Sequence, residues 1–154
     1  MQLLRNDIKA DTPEMFRAYD PHYDEYVKEV EKSEITKGTT LVGHSSGAGF
    51  WIRYLSEHPE VYVDKVVLVA PWINNDKSYD IDLFDFEINP AIVARANSFI
   101  IFSSDNDSAT TQDSVKVILD ILPNVTHREF HNYGHFTMKT MKTDAFPELL
   151  EAVL

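Results

Sequence analysis

The chain has 154 residues, 44% of them hydrophobic, no cysteine, and a formal charge of -11 at neutral pH. That length and apolar content suit one globular domain with its own core, and the acidity disfavours nucleic acid and anionic membrane surfaces, which carry like charge. Without cysteine there is no disulfide, thiolate metal site or cysteine nucleophile, and no stretch reads as a signal peptide or bilayer span, so a cytoplasmic soluble protein is expected.

Taken in order, residues 1 to 8 read as the last turns of a helix, with Leu3, Leu4 and Ile8 on one side. Residues 9 to 20 read as a loop around Pro13. An amphipathic helix is predicted over residues 21 to 33, with Tyr23, Tyr26, Val27 and Val30 on its apolar face. A strand over 39 to 43 runs into Gly43-His44-Ser45-Ser46-Gly47, and a helix begins at once and continues to about His58, before Pro59. The apolar run Lys65-Val66-Val67-Leu68-Val69-Ala70 reads as a parallel strand covered on both faces. Residues 71 to 89 form a long acidic excursion carrying Trp72, Tyr79, Phe84 and Phe86, followed by a helical turn at 91 to 96 and a buried strand at 98 to 102. A helix over 111 to 122, a strand over 126 to 131 and a closing helix over 146 to 154 complete the chain. Strands alternating with helices imply one domain, residues 1 to 154, built as a three-layer α/β/α sandwich on a mostly parallel sheet.

The pentapeptide at 43 to 47 is a G-x-S-x-G motif in strand-turn-helix context, which turns a serine hydroxyl outward on a tight turn. With only five glycines in the chain, a chance match in that context is rare. The two glycines are expected to let strand and helix approach closely, and the Ser46 N–H, at a helix N-terminus, to face a developing oxyanion. A serine nucleophile needs a base, and an imidazole suits that task. Of the six histidines, His22 starts a helix, His58 precedes a proline, and His127 and His131 fall in or beside a strand. His44 sits inside the turn and is expected to pack beside the site or at the pocket's edge. His135 alone lies in a post-strand loop near the C-terminus, and it is the expected base. For the acid, Asp107 and Asp105 both follow the 98 to 102 strand; Asp107 lies at the better distance from the strand end, and either could instead be a loop-stabilising Asx residue. His127 and His131 stand four residues apart, but in a predicted strand and without the H-E-x-x-H order, so no metal is expected; nor is a cofactor.

These three segments, Gly43-His44-Ser45-Ser46-Gly47-Ala48, Ser104-Asp105-Asn106-Asp107 and Tyr133-Gly134-His135-Phe136, together resemble the retinoblastoma-binding-protein-9 / YdeN-like serine hydrolases. These are small single-domain members of the α/β-hydrolase superfamily, and the resemblance covers the whole chain. It implies a catalytic triad of Ser45, His135 and Asp107; Ser46 is expected in the oxyanion hole, and Trp72, at the position where the superfamily places pocket elements, is expected with His44 and Phe136 near a substrate pocket. Two departures stand out. Ser108-Ala109-Thr110-Thr111 stands where the family has a proline-containing stretch, and no glycine precedes Gly38. Family members begin with a strand and a glycine-rich loop that gives the second oxyanion donor, so an N-terminally shortened fold is expected. Losing one such donor typically lowers kcat by ~10²–10³. An exposed strand edge would also invite pairing with another chain, such as a homodimer. The expected activity is therefore hydrolysis of a small ester, amide or peptide-like substrate through an acyl-enzyme. The alternative is a weakly active or non-catalytic binding module that associates with a partner chain.

Overall fold

A computed structural model describes residues 8–17 and 20–154. The helix expected over residues 1 to 8 lies, but for Ile8, outside the described residues, and 8–17 carry neither helix nor strand. The ordered elements are α1 (Tyr23–Val30), β1 (Thr40–His44), α2 (Ser46–Glu57), β2 (Val63–Val69), β3 (Ala96–Ser104), α3 (Ala109–Ile121), β4 (Thr126–Phe130), α4 (Met138–Met141) and α5 (Pro147–Val153). Two short 3-10 helices, Asp82–Phe84 and Pro90–Arg95, punctuate the stretch between β2 and β3.

The four strands of the described residues form one parallel sheet in the order β1-β2-β3-β4. Successive side chains of a strand point to opposite faces, so each apolar strand feeds two cores. One core takes Leu41, Val66, Leu68, Phe99 and Ile101 from the sheet and packs them against α1, α2 and α3. The other takes Val67, Val69, Phe102 and Phe130 and packs them against Phe146, Leu149 and Val153 at α5. The result is a three-layer α/β/α sandwich. Burial on both sides is why β2 reads as a continuous apolar run.

Phe50 of α2 is fully buried and touches the rings of Tyr23, Tyr26, Trp51 and Tyr54. It fixes α1 onto α2, and truncating such a ring to Ala costs roughly 3–5 kcal/mol. Among the described residues, no side chain at the N-terminus of α1 itself caps that helix. Asp82, from the excursion between β2 and β3, does so instead: its carboxylate accepts the Tyr23 N–H at 2.9 Å.

The two sheet edges differ. β4 leaves Thr126, His127, Arg128 and Glu129 exposed, a charged edge of the kind that discourages further pairing. β1 leaves Val42 exposed, with no second strand beside it among the described residues. The Thr39 carbonyl and Ser45 amide bond towards β2, so by alternation Thr40, Val42 and His44 aim their backbone groups outward. The Trp51 indole N–H takes one of them, the Val42 carbonyl, at 3.1 Å. Among the described residues, no helix is long and apolar enough to cross a membrane.

Candidate active site

Ser45 sits between β1 and α2 with φ 55 and ψ -122, a conformation that side-chain-bearing residues rarely adopt. The turn is locked on both sides. The Ser45 N–H donates to the Val69 carbonyl at 2.9 Å, and the Ser45 carbonyl accepts from the amides of Ala48, Gly49 and Trp72 at 3.1–3.2 Å. A Cβ at Gly43 would lie 2.7 Å from the Ala48 Cα, so that glycine does let strand and helix meet. Gly47 departs from expectation: a Cβ there meets nothing within 4 Å among the described residues. The second tight position is Gly49, where a Cβ would collide with the Trp72 carbonyl oxygen and approach Phe84 Cε1 to 2.6 Å. The chain leaving β2 crosses the first turn of α2 there, a contact invisible in the motif itself.

The structure brings Ser45, His135 and Asp107 together. His135 Nε2 lies 2.9 Å from Ser45 Oγ, and His135 Nδ1 lies 2.9 and 3.0 Å from the two Asp107 carboxylate oxygens. With the Nδ1–H donating to Asp107, Nε2 keeps a lone pair for the serine hydroxyl. The Asp107 side chain is 3% exposed and that of His135 is 33% exposed, so the pair is anchored at its acid end and open at its serine end. Asp107 also accepts the Ser108 N–H at 2.6 Å, where α3 begins.

The other acid goes elsewhere. Asp105 accepts the Asn132 N–H at 2.9 Å and pairs with His131 Nδ1 at 2.5 Å. Those bonds, the Asn132 amide first and His131 second, hold its carboxyl below the ordinary value of 3.8. His44 does not line the pocket. Its Nε2–H donates to the His135 carbonyl at 2.8 Å, and the two rings lie 4.8 Å apart. Desolvation chiefly, and the neighbouring His135, push His44 below its ordinary 6.5, partly opposed by its bond to the His135 carbonyl. Of the remaining histidines beside β4, His127 contacts Ser103 Oγ at 2.8 Å.

Before the serine opens a cleft of about 590 Å³, walled by Trp72 and by the hydroxyl residues Ser46, Ser108, Thr110, Thr111 and Thr140. Trp72 thus stands at the cleft, as its position in the sequence suggests. Phe136 does not: with φ 52 it turns into the second core, against Phe130 and Phe146. Phe84 and Phe86, from the same excursion, belong to the first core. The threonines carry no signal in the sequence, because Thr140 reaches the cleft only through α4, a four-residue helix set by the Thr137/Thr140 capping box and by no apolar periodicity.

Residues 2–148 match the model of a family described as serine hydrolase. No curated protein matches the sequence. Among solved structures, the fold is similar to that of the ydeN gene product of B. subtilis, with a TM-score of 0.80 at 16% identity over 99% of this chain and 86% of that one. A carboxylesterase of the thaumarchaeon Nitrososphaera gargenis gives 0.64 at 13% identity, over 97% of this chain and 81% of that one. The carboxylesterase CesB of Bacillus subtilis gives 0.53 at 13% identity, over 85% and 65%. At such identities the likeness is one of fold.

Proposed function

We propose, for a chain that belongs to the serine hydrolase family, that Ser45 is the nucleophile, His135 the base and Asp107 the group that orients it. The observation that carries this reading is the unbroken relay from Ser45 Oγ through both His135 nitrogens to a buried carboxylate. As Ser45 Oγ bonds to a substrate carbonyl carbon, its proton passes to His135 Nε2, and the resulting imidazolium is held by Asp107. The carbonyl oxygen gains the negative charge, and the Ser46 N–H, in the first turn of α2 where backbone donors lack intrahelical acceptors, is positioned to bind it. Collapse expels the leaving group, which takes the proton from Nε2. Water, activated by the same imidazole, then releases the acyl group and regenerates the serine. The open cleft with one aromatic wall and several hydroxyls suits a small ester, amide or peptide-like substrate.

A fluorophosphonate probe tests the reading directly. The wild type should label and the Ser45→Ala variant should not; an unlabelled wild type, or equal labelling of both, overturns it. A second reading, association with a partner chain as in a homodimer, is supported by the exposed Val42 and the outward backbone groups of β1. Light scattering that returns only a monomer mass across the micromolar range would remove it.

A further inference from the structure

The loop that carries His135 is unusually demanding of its backbone. Asn132, Gly134 and Phe136 have φ values of 62, 55 and 52, so three of five consecutive residues occupy the left-handed region. For side-chain-bearing residues that conformation costs roughly 1 kcal/mol or more each, and something must hold it.

What holds it is the end of β3 and the loop that follows, one side chain at a time. The Asn132 N–H donates to Asp105 Oδ1 at 2.9 Å, the Tyr133 N–H to Ser104 Oγ at 3.0 Å, and the Gly134 N–H to Asn106 Oδ1 at 2.7 Å. The next residue, His135, gives its ring N–H to Asp107. Four consecutive residues of that loop are thus received by four consecutive side chains, Ser104 to Asp107. The hydrogens are consistent throughout. Ser104 Oγ accepts from Tyr133, so its own proton is free to go to Asn106 Oδ1, 2.9 Å away. The Gly134 amide can only donate, which fixes the oxygen end of the Asn106 carboxamide towards it. Asn106 Oδ1 therefore receives two donors and closes the chain Tyr133–Ser104–Asn106–Gly134, in which each bond polarises the next.

We infer that Asn106 is a positioning residue for this hydrolase: its carboxamide oxygen, together with Ser104 Oγ, sets the backbone from which His135 reaches Ser45. The inference rests on the reading of Ser45 and His135 given above and extends it to residues that form no bond to either of their side chains. Asn106→Ala leaves the Gly134 amide and the Ser104 hydroxyl without their acceptor. The imidazole then loses its fixed approach, while Asp107 and the rest of the cleft wall remain.

The test measures p-nitrophenyl acetate turnover and the rate of fluorophosphonate labelling in wild type, Asn106→Ala, Asn106→Asp and Ser104→Ala. Asn106→Ala should lower kcat and the labelling rate ~10- to 100-fold, the scale of a misplacement below an ångström. KM should change less than kcat, because Asn106 is one of several residues that line the cleft and the others are kept. Asn106→Asp keeps an oxygen at the same place and should recover most of kcat. Ser104→Ala, a smaller change at a buried site, should fall in the same direction even where Asn106→Ala folds poorly. If the wild type labels and both alanine variants label equally fast, the inference fails and the reading of Ser45 stands. It fails in the same way if Asn106→Asp is as impaired as Asn106→Ala. If the wild type does not label, both fail.

Discussion

The two halves of the site are held by opposite means. The serine turn is fixed by absence: no side chain at Gly43 or Gly49, so that backbone packs on backbone, with the Ser45 carbonyl tied to three amides. The histidine loop is fixed by presence: Ser104, Asp105 and Asn106 each supply an oxygen that the backbone itself does not offer. Steric control of the first kind tolerates nothing larger and fails abruptly. Hydrogen-bond control of the second kind degrades in steps, because each polar group can be exchanged for another that still accepts. The contrast teaches where variation should be harsh and where it should be graded.

Gly49→Ala is the severest way to test that contrast. Its Cβ has nowhere to go but into the Trp72 carbonyl and Phe84, so the chain leaving β2 must move. Overpacking of this kind costs roughly 3 kcal/mol, which lowers Tm by about 6–12 °C for a chain of this size, and Trp72 leaves the cleft with it. A calorimetric scan with a Tm unchanged within error would show that the turn is not sterically set. Next in size is acid sensitivity on the histidine side. His44 is held below its ordinary 6.5, so the unfolded chain takes up that proton first as pH falls. Its contribution to stability is complete above that value and is lost on going below it. Asp105, held below 3.8, adds a second loss further down, as pH falls through its lowered value. Urea midpoints between pH 8 and 5 should therefore fall in the wild type and fall less in His44→Gln, which keeps an N–H for the His135 carbonyl; parallel curves would remove His44 as the cause. The smallest effect belongs to Gly47→Ala. Its Cβ meets open space and its φ is not positive, so the gain of about 0.5 kcal/mol expected for a helical Gly→Ala change should appear as a slightly raised urea midpoint. Destabilisation there would restore the symmetric view of the motif.

Much of this is legible in the chain itself. β-branched apolar runs mark β1, β2 and β3, and the order of serine, acid and histidine segments follows from them. The spacing favours Asp107 over Asp105, but the separate role of Asp105, which faces His131 while Asp107 faces His135, depends on the fold. The same holds for Gly49, whose constraint is a carbonyl 23 positions later, and for Asn106, which reads in isolation as an ordinary turn former. His44 shows the limit most plainly. Its place inside the motif says that it neighbours the serine, yet its partner is a backbone carbonyl 91 positions away. Local pattern reports local geometry; contacts across the sheet's C-terminal rim need the fold.

The cap that Asp82 places on α1 ties distant parts together in time as well as in space. An eight-residue helix is too short to persist alone in water, so α1 exists only while its borrowed cap and its aromatic neighbours are in place. Arg53 strengthens the joint, lying 3.7 Å over the Tyr23 ring and donating to the Asp82 carbonyl. The excursion that starts at Trp72, one wall of the cleft, and the helix that starts at Tyr23 are joined through Asp82 and Arg53 and should open together. Amide exchange in α1 and in the segment around Asp82 should share a single protection free energy, and loosening either would loosen the wall beside the serine.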